Sequence, residues 1–258
     1  MIFETHAHYD DERFDEDRDA LLSSMSEKGI GRIINVGSSI ETTKTTLELA
    51  TKYDNVYAAV GVHPSDISGL NEETFTWLRE QTDREKTVAV GEIGLDYYWD
   101  KEPDVQERQR YWFERQMELA RETGLPVIIH SRDAAEDTMN LMKRIHAEEI
   151  PGVIHCYSYS KEMALEFVKM GYYIGVGGVV TFKNAKKLKE TVETIPLERI
   201  LLETDCPYMA PEPYRGKRND SSYIPYVVAK IAELKEITKE EVERVTEANA
   251  RKLFTRVK

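Results

Sequence analysis

Cysteine is nearly absent from this 258-residue chain: Cys156 and Cys206 are the only two, and they form no C-x-x-C pair. That spacing suggests no disulfide framework and fits a reducing compartment. Long apolar runs are missing as well, since no stretch approaches the roughly 20 residues a spanning helix requires. The opening MIFETHAHYDDE has neither the basic segment nor the long apolar segment of a secretory leader. The expectation is a soluble, cytoplasmic protein with no membrane partner and no obligate protein partner. Positive charge is in deficit, with 35 basic residues against 47 acidic ones and a net charge of −12. A broad basic surface for coating nucleic acid or anionic membrane is therefore disfavoured, and any polyanion must be gripped locally. A G-x-G-x-x-G turn is also lacking, because His-Ala-His follows the first apolar run. The dinucleotide-binding form of an open sheet loses its main signature with it.

What is present is 41% hydrophobic and 32% charged side chains, enough for one large core. Short β-branched or apolar runs recur at Ile2–Thr5, Arg32–Val36, Val56–Val60, Thr87–Gly91, Pro126–Ile129, Gly152–Ile154, Tyr172–Val176 and Arg199–Glu203. Segments of helical length separate them. In Val105–Glu122, for example, Phe113, Met117 and Ala120 share a face before Gly124 stops the helix. Thr238 and Glu241 stand as a T-x-x-E capping box ahead of a closing helix. No Ser/Gly-rich linker interrupts the series. Eight strands alternating with helices over about 250 residues predict an α/β protein, a single (β/α)8 TIM-type barrel spanning residues 1–258. Gly175, Gly177 and Gly178 have the wrong spacing for a phosphate loop and read as close packing where the seventh strand ends.

Six side chains that can bind metal fall at the C-terminal ends of these strands, where a barrel places its active site: His6, His8, Glu92, His130, His155 and Asp205. His6 and His8, two apart on a strand, point the same way. The same alternation turns Cys156 from His155 and Cys206 from Asp205, so no sulfur ligand is expected. Imidazole and carboxylate without thiolate suit Zn, Mn or a similar divalent ion, and six donors exceed what one catalytic ion needs. Two divalent metal ions are inferred, with Glu92 the central candidate to bridge them. Such a site polarises a substrate oxygen and lowers the pKa of a water from about 15.7 toward 7. A lone histidine is more often structural, and His146, in a stretch rich in Lys, Glu and Arg, reads that way. Four of the chain's six histidines and two carboxylates at the ends of five strands do not.

The segment Pro211–Asn219 carries Arg215, Lys217 and Arg218 around a glycine. Barrels often bind phosphate with loops after their last strands, so these three are the candidate phosphate grip, a solvated basic loop being the bland reading. His63, in Gly-Val-His-Pro, faces the same mouth. It either hydrogen-bonds a phosphate or leaving oxygen, as a catalytic residue, or orders the loop before Pro64. Arg132, Asp133, Asp96, Tyr97 and Tyr98 are rim candidates, the two tyrosines as surfaces for a base. Glu203, two residues before Asp205, either orients a ligand or pairs with a buried cation.

In these motifs the chain resembles the TatD family of metal-dependent deoxyribonucleases, within the wider amidohydrolase-like barrels. They stand here as Thr5-His-Ala-His8, Gly61-Val-His-Pro64, Gly91-Glu-Ile-Gly-Leu-Asp96, His130-Ser-Arg-Asp-Ala134, His155-Cys-Tyr-Ser158, Glu203-Thr-Asp-Cys-Pro-Tyr208 and Arg215-Gly-Lys-Arg-Asn219. The resemblance implies a TIM-type barrel and divalent metals on the six residues above. It also implies hydrolysis of DNA phosphodiesters, as a 3′ to 5′ exonuclease. Tyr157 and Tyr159 depart from the family's Phe and Gly without loss of a ligand. Many related amidohydrolases bridge their metals through a carboxylated lysine on the fourth strand. Lys86 lies at that strand's entering end, which disfavours their lactonase and phosphotriesterase chemistry here. The expected reaction is hydrolysis of DNA at strand ends or in short single strands, with Glu92, Asp205 and His63 in catalytic roles. An ester or amide hydrolase acting on a lactone or an aminoacylated tRNA end is the alternative.

Overall fold

The computed structural model describes residues 1–258. The strands are β1 (Ile2–Ala7), β2 (Ile30–Val36), β3 (Val56–Val60), β4 (Thr87–Asp96), β5 (Val127–Arg132), β6 (Gly152–Ile154), β7 (Tyr173–Val176) and β8 (Ile200–Leu202). They pair in parallel and in chain order, and a parallel bridge between Ala7 and Cys206 brings the chain after β8 back to β1. The result is the nearly closed eight-stranded barrel the alternation called for. Its helices are α1 (Arg18–Ser24), α2 (Ile40–Lys52), α3 (Glu72–Gln81), α4 (Pro103–Thr123), α5 (Ala135–Arg144), α6 (Lys161–Lys169), α7 (Lys186–Thr194), α8 (Ile224–Lys235) and α9 (Lys239–Leu253). No helix is long and apolar enough to cross a membrane.

Side-chain alternation sorts the buried residues into two bodies. One cluster of 57 fills the layer in which helices pack on strands. A second, of 15, takes residues from every strand and is joined by Ala250, Leu253, Phe254 and Val257 at the chain's end. This second body is the barrel lumen, and its members stand two residues before site residues: Ile128 before His130, Val153 before His155, Leu201 before Glu203. The lumen is thus a floor of apolar side chains, and the next inward position on each of these strands carries chemistry.

Strands β1, β4 and β5 run further than their apolar runs indicate, β4 by the most. β4 continues through Gly91-Glu-Ile-Gly-Leu to Asp96, so Glu92 lies inside the strand rather than after it. Pairing with β5 shifts register between Val90 and Ile93 and resumes at Gly94–His130. Gly94 makes this possible: at φ +146°, a Cβ there would fall 1.9 Å from the His130 carbonyl oxygen. Gly94→Ala is expected to destabilise the chain by more than about 3 kcal/mol, because glycine-only backbone strain adds to that collision. A denaturant midpoint within error of wild type would contradict this.

Helix α4 locates two loops of the site. Pro103 sits in its first turn and Gly124 ends it at φ +67°, while Phe113, Met117 and Ala120 are buried as their spacing requires. Gln109 and Gln116, seven apart on the same face, are also buried. The Gln116 side-chain amide accepts from Val62 N–H (2.8 Å) and donates to Val62 O (3.1 Å), just before His63. Gln109 does the same for Asp96. At α9 only half of the expected capping box forms. Thr238 accepts from Glu241 N–H, but the Glu241 carboxylate turns to Arg244 instead of the cap.

Candidate metal centre

The barrel mouth opens into a cleft of about 950 Å3. At its base the six side chains named from sequence come together. His6 Nε2 lies 3.0 Å from His8 Nε2 and 3.4 Å from Glu92 Oε2. His8 Nε2 is 3.7 Å from the same oxygen and 3.4 Å from Asp205 Oδ1, and His6 Nε2 is 3.7 Å from Asp205 Oδ1. The other Glu92 oxygen faces a different set: Oε1 is 2.7 Å from His155 Nε2 and 2.9 Å from His130 Nδ1, which are 3.2 Å apart. One buried carboxylate therefore divides its oxygens between two donor groups.

These distances test whether a cation fits. With bonds of about 2.0–2.1 Å, the donors of a tetrahedral site lie about 3.3–3.4 Å from each other. The first set, at 3.0 to 3.7 Å, brackets that value. Imidazole nitrogens and carboxylate oxygens crowd together here, and the donors are nitrogen and oxygen only. Such a set holds zinc or manganese readily, and the residues fit the metal dependence their chemistry implies.

Partners behind the donors fix which nitrogen faces in. His8 Nδ1–H donates to the Val36 carbonyl at 2.9 Å, leaving Nε2 for the centre. His130 Nε2 is 3.2 Å from Asp96 Oδ2, leaving Nδ1 inward. Asp96, a rim candidate by sequence, is thus a buried support for His130. The Nδ1 atoms of His6 and His155 have no hydrogen-bond partner, nor does Glu203 Oε2. Their rings stack 4.0 Å apart, and their donor atoms lie within 4.8 Å of a Glu203 oxygen. No lysine or arginine reaches Glu203, so of its two sequence readings the orienting one fits. Burial pushes its carboxyl well above the usual range. Gly175 makes the room, since a Cβ there would stand 2.3 Å from Glu203 Oε2. Below it Glu4, which the sequence reading passed over, accepts from His6 N–H, Thr204 N–H, Thr204 Oγ1 and Ser221 Oγ, and burial raises it to about 7.

Proximity groups His63 with Glu92 and His130. Its hydrogen bonding argues for another role. His63 Nδ1 accepts from Ser65 N–H at 3.1 Å, and burial, then His130, lowers its pKa to about 3. A neutral ring accepting at Nδ1 carries its proton on Nε2, 3.8 Å from Glu92 Oε1, where it is a donor toward the cleft rather than a ligand. The loop-ordering contact expected of His63 is made by Nδ1, while Nε2 is left facing the cleft.

Three expectations change. Cys156 lines the cleft and is half-buried instead of packing outside. Strand β6 ends at Ile154, and Cys156 has φ +44°, so strand alternation no longer applies. Of the basic loop, Arg218 is held by Asp17 at 2.6 and 2.8 Å, and none of Arg215, Lys217 and Arg218 lines the cleft. Arg215 sits over Phe182, whose ring does line it, 4.3 Å from guanidinium to centroid. Tyr97 donates its hydroxyl to Asp137 and accepts from Arg110, and it does not line the cleft. Asp10, two residues past His8, was not anticipated: it lines the cleft and accepts from Asn35 at 2.7 Å.

Electrostatics follow from this crowding. Burial opposes charge on His8, yet Asp205 and Glu92 raise it to about 10; Asp96 and Glu92 likewise raise His130 to about 9. His6 is lowered to about 4, chiefly by burial. The cation-free site therefore holds protons on His8 and His130 at pH 7, and a metal must displace them. Calorimetry in buffers of different ionisation enthalpy is expected to record release of about two protons per chain at pH 7, fading above pH 10. Heats independent of the buffer would contradict this.

The comparisons with known proteins agree with the geometry. The sequence family described as TatD related DNase matches residues 3–255. The chain belongs to the TatD family. Among its relatives, the metal-dependent hydrolase YabD of Bacillus subtilis is 46% identical over 254 residues, 98% of this chain and 99% of that protein. YcfH of Escherichia coli, likewise named a metal-dependent hydrolase, is 34% identical over 98% of this chain and 96% of its own. The crystal structure of YjjV, a TatD homologue from Escherichia coli, superposes with a TM-score of 0.91 at 34% identity, covering 98% of each chain. This TatD-family chain is accordingly a metal-dependent hydrolase built on an eight-stranded parallel barrel.

Proposed function

We propose that this hydrolase cleaves DNA phosphodiester bonds with two divalent cations, Zn, Mn or Mg, working from strand ends or on short single strands in the 3′ to 5′ direction. The observation that carries the reading is the split of Glu92, with Oε2 toward His6 and His8 and Oε1 toward His130 and His155. His6, His8, Asp205 and Glu92 would hold one cation, and Glu92, His130 and His155 the other. Bound there, the cations supply Lewis acidity toward a phosphoryl oxygen and an activated water.

The chain's own groups do the rest. Asp205 is the carboxylate at the centre with the most exposed side chain, at 18%, so it is placed to take a proton from an entering water at its carboxylate oxygens. The His63 Nε2–H donates to a phosphoryl or leaving oxygen. A cleft of about 950 Å3 is large enough for a nucleotide or two. Its lining is acidic, with Asp10, Asp11, Glu12 and Asp66 around the mouth and Arg132 the one lysine or arginine. Few phosphates are contacted, so the slope of log affinity against log salt on single strands is expected to be no steeper than about −2, or about −0.7 for each of two to three phosphates.

A neutral ester or amide, such as a lactone or an aminoacylated tRNA end, is the second reading. The apolar wall of Val179, Phe182 and Leu188 favours it. Chain loaded with Zn, Mn or Mg is offered labelled single-stranded DNA and a neutral ester, before and after chelation. Chelation-sensitive hydrolysis of DNA with the ester untouched is expected; the reverse pattern overturns the nuclease reading.

A further inference from the structure

Most arginines of this chain are tied up, Arg13 by Asp11 and Arg218 by Asp17 among them. The guanidinium of Arg132 makes neither ion pair nor hydrogen bond. Its centre lies 3.9 Å above the Tyr98 ring and 5.6 Å from that of Trp99. Arg132 ends β5 two residues after His130, so both side chains leave the strand on the cleft side.

Trp99 lines the same cleft and is 67% exposed, the most exposed large hydrophobic side chain of the molecule. The other two tryptophans, Trp77 and Trp112, pack against the core. An indole on a loose loop would carry little meaning, but this one stands on a fixed turn. The N–H groups of Tyr98 and Trp99 both donate to Asp96 Oδ1, at 2.9 and 3.0 Å, while Asp96 Oδ2 meets His130 Nε2 at 3.2 Å. Asp100 Oδ2, one residue further, accepts from Gln109 of α4 and from Ser65. A single buried carboxylate thus sets the indole relative to the candidate ligand His130. A π-face and a free guanidinium, held rigidly beside a hydrolytic centre, are the complement of a base and a phosphate.

We propose that Trp99 and Arg132 form a nucleotide subsite, in which Trp99 stacks the base next to the scissile bond and Arg132, backed by Tyr98, holds the neighbouring phosphate. The inference rests on the phosphodiesterase reading and adds to it the unit recognised. Stacking accepts any base but needs its face free, so the subsite selects unpaired nucleotides over duplex and is indifferent to sequence. Because the Trp99 turn is held through backbone N–H groups, replacing the side chain leaves the Asp96–His130 contact in place.

The test uses the full chain loaded with cation and a labelled single-stranded tetranucleotide. Two analogues accompany it, one with an abasic terminal residue and one with a neutral methylphosphonate at the adjacent linkage. Wild type is expected to favour the base-bearing over the abasic strand roughly 5- to 150-fold in kcat/KM, mostly through KM, the range of one stacked base. Trp99→Ala brings that ratio near one, and Trp99→Phe restores most of it. Arg132→Gln brings the charged-to-neutral linkage ratio from about tenfold or more to near one. A Trp99→Ala chain that keeps the wild-type ratio overturns the proposal, as does one whose ratio falls only together with its bound cation. Binding is read independently, from quenching of Trp99 emission by the same strands. Cleavage without base discrimination sinks the subsite and leaves the phosphodiesterase reading standing. Base-dependent quenching without cleavage does the opposite, and absence of both overturns both.

Discussion

Glu92→Gln is expected to leave the barrel folded while lowering turnover by more than about 100-fold and reducing the bound cation, since changes in groups merely supporting a ligand already cost 10–100-fold. The substitution keeps shape and removes charge. The carboxylate is an acceptor on both oxygens, with imidazole nitrogens of two donor sets around it at 2.7 to 3.7 Å. An amide presents a donor N–H2 to one set, so at least one loses its shared oxygen. Folding is spared because the apolar lumen lies below the site and does not include Glu92. Metal content, kcat/KM and the melting temperature together check this. A variant with wild-type turnover and full metal would contradict it.

Chelation is expected to lower the melting temperature by about 5–10 °C for each cation lost. A ligand at a hundred times its dissociation constant stabilises by about 2.7 kcal/mol, and for a chain of this size each kcal/mol moves the midpoint by about 2–4 °C. The gap also depends on pH. His8 and His130 are raised to about 10 and about 9 in the cation-free chain, above the ordinary histidine value. A raised pKa contributes stability that is fully present below about pH 6.5 and lost as pH rises through the folded value. The chelated chain therefore loses stability from about pH 6.5 to 10. The loaded chain, whose ligating imidazoles are already neutral, does not. The gap between the two midpoints should widen over that interval, as differential scanning calorimetry at several pH values can show. A gap that narrows, or midpoints that coincide, would contradict the site.

The barrel and the convergence of the six side chains were legible because each rests on local pattern. Val56–Val60 and Gly152–Ile154 stand in the structure with the bounds their apolar runs imply. His6, His8, His130 and His155 follow such runs at positions where strand geometry aims them inward. What local pattern does not encode was missed. The Asp17 partner of Arg218 is 201 residues away, so a basic loop looked free when one of its charges was already neutralised. Extension of β4 to Asp96 depends on a register shift against β5, which a strand's own sequence does not display. Cys156 escaped because alternation was carried two residues past the end of β6. Trp99 escaped because exposure of an aromatic is decided by the turn beneath it, here by Asp96. Glu4 looked like an ordinary polar residue of a strand, and the side-chain partners that hold it, Thr204 and Ser221, lie some 200 residues on.

The central claim is that Glu92 divides its carboxylate between two cations at the mouth of the barrel. Anomalous X-ray diffraction from crystals grown with zinc or manganese tests it most directly. Two peaks about 3.5–4 Å apart are expected, one beside His6, His8 and Asp205 and one beside His130 and His155, with Glu92 touching both. A single peak, or two of which neither touches Glu92, would contradict it.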